Sequence, residues 1–315
     1  MGGMGNLHVL GVRERSSAIS SKRFAVIVNP RGGMRQGLGV LEQVRPAFAG
    51  AGAELDVHVT DYPGHATRIA QSLDLAGCDG LCLVGGDGTI HEAVAGLMQR
   101  AGPALPPLGL IPAGTGNTLH QEVRCTNPLE AARRILAGRT CPLDAARVTM
   151  RDRVVWCVDI IGWGAVSDIN RTAEKLRWLG PARYALAALW FIVRPKRRRA
   201  RLVLDGRAFD DEFLFVIGCN VRSTGSGMIV APHAQIGDGK IDVVVLRSTS
   251  RAEMLKVFKR VFDGSHVSLP CIGYHQVRSF SIDYEGPEPL DLDGELKGSA
   301  PLSVQMMPGA LRVFA

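Results

Sequence analysis

The chain contains 315 residues, of which 46% are hydrophobic and 21% are charged, and its net charge at pH 7 is +7. This balance excludes disordered and fibrous proteins and predicts one large globular domain or two ordinary ones. Seven cysteines without a Cys-x-x-Cys pair argue against a disulfide framework and a four-thiolate zinc site, and they favour a reducing cytosol. The positive charge favours an anionic partner, but the 6% aromatic content and the lack of a reader motif argue against nucleic acid.

Neither a secretory signal nor a membrane-spanning segment is expected. The longest apolar run, Tyr184–Val193, has ten residues, and a bilayer-spanning helix needs roughly 20. The start of the chain lacks a charged stretch followed by an apolar block, so we interpret residues 1–21 as a flexible lead-in.

The first half of the chain alternates short apolar runs with helical stretches. This order predicts a layered α/β domain with parallel strands. The predicted strands are Phe24–Val28, Leu55–Val59, Leu81–Val84 and Leu108–Ile111, and the predicted helices are Gly39–Ala51, Ala66–Ala76 and Ile90–Arg100. Asn127 followed by Pro128 predicts the capped start of a further helix that continues to about Leu136.

The pattern changes after Leu143, where strands follow one another with few helices, and this predicts an antiparallel β-sandwich. The predicted strands are Val154–Ile160, Arg201–Leu204, Glu212–Cys219, Ile241–Leu246, Val277–Ile282, Leu302–Met306 and Leu311–Phe314. Two helical insertions are expected, Ser167–Val193 with a break at Gly180-Pro181, and Arg251–Phe262. We therefore predict an α/β nucleotide-binding domain over residues 22–145 and a β-rich lipid-binding domain over residues 146–315, with the cleft between them as the default site.

The strongest local signal is Gly85-Gly86-Asp87-Gly88-Thr89, where the third strand ends and a helix begins. Glycines let the backbone approach phosphate oxygens, and a helix N-terminus favours an anion. A carboxylate at this place can accept a proton from an attacking hydroxyl or orient magnesium. By itself, the motif fits equally well a turn whose Asp caps the next helix.

Two further glycine-rich loops favour the functional interpretation. Asn29–Gly33 follows the first strand and Pro112–Asn117 follows the fourth, so both are expected at the sheet edge that carries Asp87. Parallel connections need no such runs of glycine. The P-loop, the dinucleotide fingerprint and the protein-kinase motifs are all missing.

The three loops resemble the motifs N-P-x-x-G, G-G-D-G-T and P-x-G-T-x-N of the diacylglycerol kinase catalytic family of lipid kinases, and the resemblance extends from Phe24 to Phe314. Asn29–Gly33 and the segment Ala173–Tyr184 are most similar to the sphingosine and ceramide kinase branch, and the segment is closest to ceramide kinases. The resemblance implies an ATP- and Mg²⁺-dependent kinase that phosphorylates the primary hydroxyl of a sphingolipid.

The resemblance also implies a role for each matched residue. Asp87 is implied to be the base that acts on the lipid hydroxyl. The residues implied to line the ATP phosphates and ribose are Asn29, Arg31, Gly32, Gly33, Thr60, Gly86, Gly88, Thr89, Gly114 and Thr115. Glu92 is implied to face the same cleft and to hold the metal or a nearby loop.

The second domain is implied to complete the nucleotide site. Arg177 and Arg183 would reach the phosphates with Glu174 as their ion-pair partner, and a solvated helix face is the alternative for all three. Gly294 and Glu295 are implied to contact the nucleotide, and Asp293 to reach magnesium through water. Asp293-Gly294 also predicts a type I′ hairpin turn, which is compatible with that role.

One departure from the family pattern bears on the acceptor. Where sphingosine kinases carry an acidic residue that pairs with the substrate amine, this chain has Asn170, and Asp168 lies two residues earlier on a predicted helix. The departure favours ceramide, unless Asp168 takes the place of the missing acid. Sphingosine kinase, diacylglycerol kinase, an NAD kinase-like enzyme with a soluble acceptor, and a non-catalytic nucleotide or lipid sensor are the alternatives.

The expected partners are a membrane lipid substrate and an anionic membrane surface. Tyr184–Val193 runs directly into the basic stretch from Arg194 to Arg201, and an apolar helix followed by basic residues can dock on anionic headgroups. A buried helix followed by a solvated charge run is an equal alternative. We expect a cytoplasmic protein that is peripheral at the inner face of the membrane, and we leave an oligomer open.

Overall fold

The computed structural model describes residues 21–33, 36–101, 104–180, 182–224 and 227–315, and only the backbone of residue 177. Its first half contains four parallel strands in the spatial order β4-β3-β1-β2. The strands are β1 (Arg23–Val28), β2 (Glu54–Val59), β3 (Gly80–Gly85) and β4 (Leu108–Pro112), and the helices are α1 (Gly37–Gly50), α2 (His65–Ser72), α3 (Asp87–Leu97), α4 (Thr118–Glu122) and α5 (Pro128–Ala137).

Burial explains why the sequence pattern located these strands. β3 and β4 are buried along their whole length and β1 from Phe24 onwards, as expected of parallel strands covered on both faces, whereas the edge strand β2 is only partly buried. Helix α5 begins as predicted, because the Asn127 side chain accepts hydrogen bonds from the N–H groups of Leu129 and Glu130. Helix α3 begins three residues earlier than predicted, at Asp87 itself, and the short helix α4 was not predicted.

The second half is dominated by antiparallel strands. They are β5 (Thr140–Met150), β6 (Val154–Cys157), β7 (Ile160–Gly164), β8 (Arg198–Leu204), β9 (Arg207–Cys219), β10 (Ile241–Arg247), β11 (Ile272–Val277), β12 (Ser279–Asp283), β13 (Pro289–Leu292), β14 (Glu295–Ser299) and β15 (Leu302–Phe314). The prediction of one strand over Val154–Ile160 is wrong, because the ladder breaks at Val158 and Asp159, whose N–H groups bond to a side chain instead of a strand.

The two helical insertions lie on this sheet as α6 (Ala165–Lys175), α7 (Ala182–Val193) and α8 (Arg251–Arg260), with a short 3₁₀ turn over Arg177–Leu179. The predicted break near Gly180 is present, and Gly180 has a φ of +58°. Helices α6 and α7 pack on each other, and α7 also contacts α8. Within the described ranges, none of the helices combines the length and the hydrophobicity that a membrane-spanning helix requires.

Strand β15 joins the two halves. It pairs antiparallel with β5 and β12 and in parallel with β4 at Val313 and Leu108, so the strands form one hydrogen-bonded network. The apolar core is nevertheless divided into several clusters, of which the two largest lie around the parallel strands and among the antiparallel ones. The predicted architecture, an α/β half followed by an antiparallel β-rich half with helical insertions, is the one observed.

Candidate active site

The three glycine-rich loops meet at the carboxyl edge of the parallel strands. A Cβ atom built on Gly33 would lie 2.6 Å from the carbonyl oxygen of Ala113, and one built on Gly86 would lie 2.8 Å from the Cα atom of Gly114. The loops after β1, β3 and β4 are therefore packed backbone to backbone, at a distance that only glycine permits.

Side-chain hydrogen bonds hold two of these loops in shape. Asn29 donates from Nδ2 to Thr89 Oγ1 at 3.1 Å, and its Oδ1 accepts from the Arg31 N–H at 2.9 Å. In the third loop, Asn117 and Gly114 exchange two hydrogen bonds of 3.2 and 2.9 Å. Thr60 directly follows β2 and is buried. Its N–H donates to the carbonyl oxygen of Val28, which places it next to the end of β1.

The N-terminus of helix α3 points into this cradle. Asp87 and Gly88 are its first residues, and the N–H groups at a helix start have no acceptor within the helix. A Cβ atom at Gly88 would meet no atom within 4 Å, so there is open space in front of it. Backbone donors, the helix dipole and the exposed Arg31 fit the phosphates of a nucleotide.

Asp87 is held in place by the next helix along the chain. Its Oδ1 accepts from the Thr118 N–H at 2.7 Å, and its Oδ2 from the Thr118 hydroxyl at 3.3 Å. Burial raises the pKa of Asp87, although the hydrogen bonds from Thr118 oppose this effect. A carboxylate with a raised pKa is a better proton acceptor, which suits a general base.

The turn of the hairpin between β13 and β14 lies at the cavity that Asp87 lines. Asp293 and Gly294 have φ values of +51° and +85°, as the predicted type I′ turn requires, and the flanking residues Leu292 and Glu295 are paired. Gly294 lines the cavity that contains Asp87. Glu295 is half-buried and forms an ion pair with Lys297.

The water-mediated metal role predicted for Asp293 does not fit its surroundings. Its Oδ1 accepts from the N–H groups of Asp159 and Ile160, and its Oδ2 accepts from the Val158 N–H and bonds with His91 Nδ1, all at 2.9–3.0 Å. These four bonds occupy the lone pairs of the carboxylate. Asp293 therefore fixes the break between β6 and β7.

The side chain of Glu92 lies against the start of helix α2. Its carboxylate accepts from the N–H groups of Gly64 and Ala66 at 2.8 and 3.2 Å, at the start of helix α2. Of its two expected roles, the structure supports holding a neighbouring loop.

Asp168 is not placed to bind a substrate. Its Oδ1 accepts from Arg171 at 2.9 Å and its Oδ2 from the buried Arg198 at 2.6 Å, and it is not among the residues that line the cavity. The expectation that Asp168 replaces the missing acid is corrected by this geometry. Its guanidinium partner Arg198 also bonds Glu288, so the basic stretch 194–201 is only partly solvent-exposed.

Asn170, in contrast, lies at the cavity wall. Its Nδ2 donates to Asp291 Oδ2 and to the Gly294 carbonyl, both at 2.9 Å. Burial raises the pKa of Asp291 to about 6, while the Asn170 bond opposes the rise. Asn170 thus ties helix α6 to the hairpin, and its amide donors are both used.

Arg183 and Glu174 are close to each other, with 3.9 Å between Arg183 Nη2 and Glu174 Oε1. Arg183 also bonds the Tyr184 hydroxyl at 3.1 Å, and it lines the cavity. The side chain of Arg177 lies outside the described part of the structure, so its predicted contact with phosphate stays a prediction.

A cavity of about 650 Å³ extends from Asp87 into the second half of the chain. Polar residues line its head, and apolar side chains from α6, α7, α8, β9 and β10 line the rest. The polar lining around Asp87 includes Thr115, Thr118 and Asp159, and the apolar lining includes Val166, Phe191, Phe215, Met254 and Phe258. Such a shape suits a molecule with one polar end and an alkyl chain.

Sequence reasoning missed two residues of this head region. Thr118 orients Asp87, and the third motif could have indicated it because Thr118 directly follows Asn117. Asp159 lies within the segment that was predicted as one strand, so no sequence pattern singled it out. The break between β6 and β7 places it at the cavity.

Comparisons with known proteins place the chain in a family. Residues 23–148 match the diacylglycerol kinase catalytic domain, and residues 159–315 match the YegS C-terminal NAD kinase beta sandwich-like domain. A diacylglycerol kinase of Mycobacterium tuberculosis is 32% identical over 76% of this chain and 77% of its own length. Sphingosine kinase 1 of Arabidopsis thaliana is 28% identical over 87% of this chain and 68% of its own length.

Solved structures share the fold. A putative diacylglycerol kinase from Bacillus anthracis superposes with a TM-score of 0.78 at 24% identity, covering 93% of this chain and 97% of that one. An NAD kinase from Archaeoglobus fulgidus in complex with ATP gives 0.51 at 14% identity, covering 93% of both chains. These likenesses confirm the predicted fold class.

The relatives carry the names of sphingosine kinases and diacylglycerol kinases, and a specific likeness to ceramide kinases stays a prediction. The family of the catalytic domain and the kinase names of the relatives confirm the predicted enzyme class. The chain belongs to the diacylglycerol kinase catalytic-domain family and is a lipid kinase.

Proposed function

We propose that this lipid kinase transfers the γ-phosphoryl group of ATP to the primary hydroxyl of a sphingolipid, with ceramide as the favoured acceptor. One observation carries the proposal. Asp87 stands where the nucleotide cradle meets the head of an apolar cavity, so a lipid hydroxyl in that cavity would be next to both the base and the γ-phosphate.

In the proposed reaction the acceptor oxygen forms a bond to the γ-phosphorus, and the bond from that phosphorus to the bridging oxygen of ADP breaks. Asp87 takes the proton of the hydroxyl. The N–H groups at the start of α3 and the loop glycines bind phosphate oxygens, and Arg183 adds positive charge from the lipid side. Thr118 keeps the Asp87 carboxylate oriented throughout.

Magnesium is proposed as the metal of the nucleotide. Mg²⁺ in such sites keeps several waters and is bound mainly by phosphates, so the nucleotide phosphates held at the start of α3 would carry the ion. Bound there, the ion would neutralise charge that develops on the phosphate oxygens.

Ceramide is favoured because the residue at the position from which sphingosine kinases contact the free amine is an asparagine, and burial raises the pKa values of the cavity carboxyl groups of Asp159 and Asp291, which weakens them as partners of an ammonium group. Asn170 stands there and is uncharged, and Asp168 is paired with arginines outside the cavity. Sphingosine and diacylglycerol remain the alternative acceptors, since both names occur among the relatives.

We further propose that the enzyme takes its lipid from an anionic membrane surface on the cytoplasmic side. Helix α7 lines the cavity with one face, while Leu186, Trp190 and Val193 on its other face are about half exposed. Trp178, just before α7, is 79% exposed. Arg194, Arg197 and Arg199 are exposed next to this apolar surface and suit anionic headgroups.

The test is a parallel kinase assay with labelled ATP, Mg²⁺ and ceramide, sphingosine, diacylglycerol or NAD in mixed micelles. We expect label in ceramide phosphate. Label on NAD alone would contradict the lipid acceptor and support a soluble-substrate kinase, and label on diacylglycerol alone would contradict the sphingolipid assignment.

The role of Asp87 is tested by the Asp87→Asn variant. We expect turnover to fall by roughly 10²–10⁴, because a positioned general base contributes about that much, while the amide oxygen still accepts from Thr118 and preserves the fold. Asp152→Asn, a change at an exposed carboxylate, is the matched control. Near-normal turnover of Asp87→Asn at an unchanged melting temperature would remove Asp87 as the base.

A further inference from the structure

A second carboxylate, Asp159, lies in the head region of the cavity and has no part in the mechanism above. It lines the same cavity as Asp87, and only 7% of its surface is exposed. Its Oδ1 is buried and has no hydrogen-bond partner among the described residues. A buried carboxyl oxygen without a hydrogen-bond partner destabilises the folded state, so a functional reason for its presence is expected.

The backbone fixes this side chain in place. The Asp159 N–H donates to Asp293 Oδ1 at 3.0 Å, and its carbonyl accepts from the Asn220 N–H at 2.8 Å. The neighbouring N–H groups of Val158 and Ile160 bond the same Asp293 carboxylate. The break between β6 and β7 is thus held from both sides, and it places Asp159 among the residues that line the cavity.

The charges around Asp159 indicate what it can bind. Besides burial, the carboxylates of Asp293, Asp87 and Glu122 raise its pKa well above the ordinary value. Another anion would be repelled there, whereas a hydrogen-bond donor or a cation would be attracted. Whether ionised or protonated, a carboxyl group retains an oxygen that accepts a hydrogen bond.

We propose that Asp159 recognises the acceptor lipid. It accepts a hydrogen bond from an N–H or ammonium group on the carbon atom next to the reacting hydroxymethyl group. This inference rests on the proposed lipid kinase function and names the group that selects its substrate. The amide of ceramide and the amine of sphingosine both supply such a donor. Diacylglycerol has an ester oxygen at that carbon and supplies none.

Two variants of Asp159 test the proposal in kinase assays with the three lipids. Asp159→Leu removes both acceptor oxygens and keeps a side chain of similar size. We expect kcat/KM to fall about 10-fold or more with ceramide and sphingosine. With diacylglycerol we expect it to fall by no more than about twofold. Asp159→Asn keeps one acceptor oxygen without charge. It should restore activity on ceramide, because the amide N–H of ceramide is neutral and needs only an acceptor oxygen.

Several readouts separate substrate recognition from damage to the fold. The KM for ATP and the melting temperature are measured for each variant, and Asp210→Leu changes an exposed carboxylate of β9 in the same way as a control. An equal loss of kcat/KM with all three lipids would overturn the proposal, because it would place Asp159 in the chemistry or the fold. Unchanged values with every lipid would overturn it as well.

A binding measurement distinguishes failure of this inference from failure of the proposed function. Calorimetry compares the binding of 2-aminodecan-1-ol and decan-1-ol. The two molecules share the alkyl chain and the hydroxyl group, and only the first has an amino group next to the hydroxymethyl. We expect tighter binding of the amino alcohol to the native protein and equal binding of both to Asp159→Leu. If that holds while no lipid is phosphorylated, the kinase assignment of the substrate fails and the recognition stands; no preference in the native protein overturns the recognition.

Discussion

At the scale of single residues, Gly86 and Gly114 show how little space the nucleotide cradle leaves. A Cβ atom on Gly114 would lie 2.5 Å from the Gly86 Cα and 2.8 Å from Asn117 Oδ1, distances that real Cβ contacts do not reach. The loops after β3 and β4 would have to separate, and the Asn117 bonds that shape the third loop would be strained.

We therefore expect Gly114→Ala to raise the KM for ATP by about 10-fold or more, because displaced loops lose backbone contacts to phosphate. Gly39→Ala on helix α1 is the matched control, since a Cβ atom there would meet nothing within 4 Å. It should stabilise the helix by roughly 0.5–1 kcal/mol without changing the KM. An unchanged KM for Gly114→Ala would show that these loops do not form the nucleotide site.

At the scale of elements, helix α4 couples the site to the stability of the fold. Thr118 at its start holds Asp87, and His120, two residues later, is completely buried. Burial lowers the pKa of His120 to about 4, while the nearby Ile111 backbone acts in the opposite direction. The native state therefore binds fewer protons than the unfolded state between pH 4 and pH 6.5, and stability falls as the pH is lowered through this range.

The shift corresponds to roughly 3 kcal/mol of unfolding free energy, fully present above pH 6.5 and lost by about pH 4. His120→Leu removes the titration. Urea unfolding at pH 7, 5.5 and 4 should show that the native protein loses about this much more stability than the variant. Parallel pH profiles for the two proteins would contradict the assignment.

At the scale of the whole molecule, different halves of the chain build the proposed lipid path and the proposed nucleotide site. Strand β15 joins the halves, and the cavity runs from the loops of the first half to helices α7 and α8 of the second. Leu186, Trp190 and Val193 are exposed on the outer face of α7, so a membrane at that face would be adjacent to the cavity wall.

The double variant Trp190→Glu and Val193→Glu tests this arrangement. Apolar contact and attraction to anionic headgroups are both weakened, so binding to phosphatidylglycerol vesicles should fall about 10-fold or more. Turnover of lipid in vesicles should fall with it, whereas turnover of a short-chain acceptor in solution should change by no more than about twofold. Val154→Glu, at an exposed residue of β6, is the control, and unaltered vesicle sedimentation of the double variant would refute the docking face.

Local patterns determined much of this protein. Continuous apolar runs predicted β1, β3 and β4, the Asn127 cap predicted α5, and the three glycine-rich motifs predicted loops that meet at one edge of the sheet. These features depend on neighbours in the sequence: a buried parallel strand needs uninterrupted apolar residues, and a loop on phosphate needs glycine.

Only the tertiary structure decided the roles of the acidic residues. Asp168, Asp293 and Asp159 are the same residue type, yet the first pairs with a buried arginine, the second fixes a strand break, and the third lines the cavity with its Oδ1 unpartnered among the described residues. The partners of the first two lie 30 and more than 130 residues away in the chain. A carboxylate is defined by the donors that surround it, and folding, rather than sequence spacing, brings those donors together.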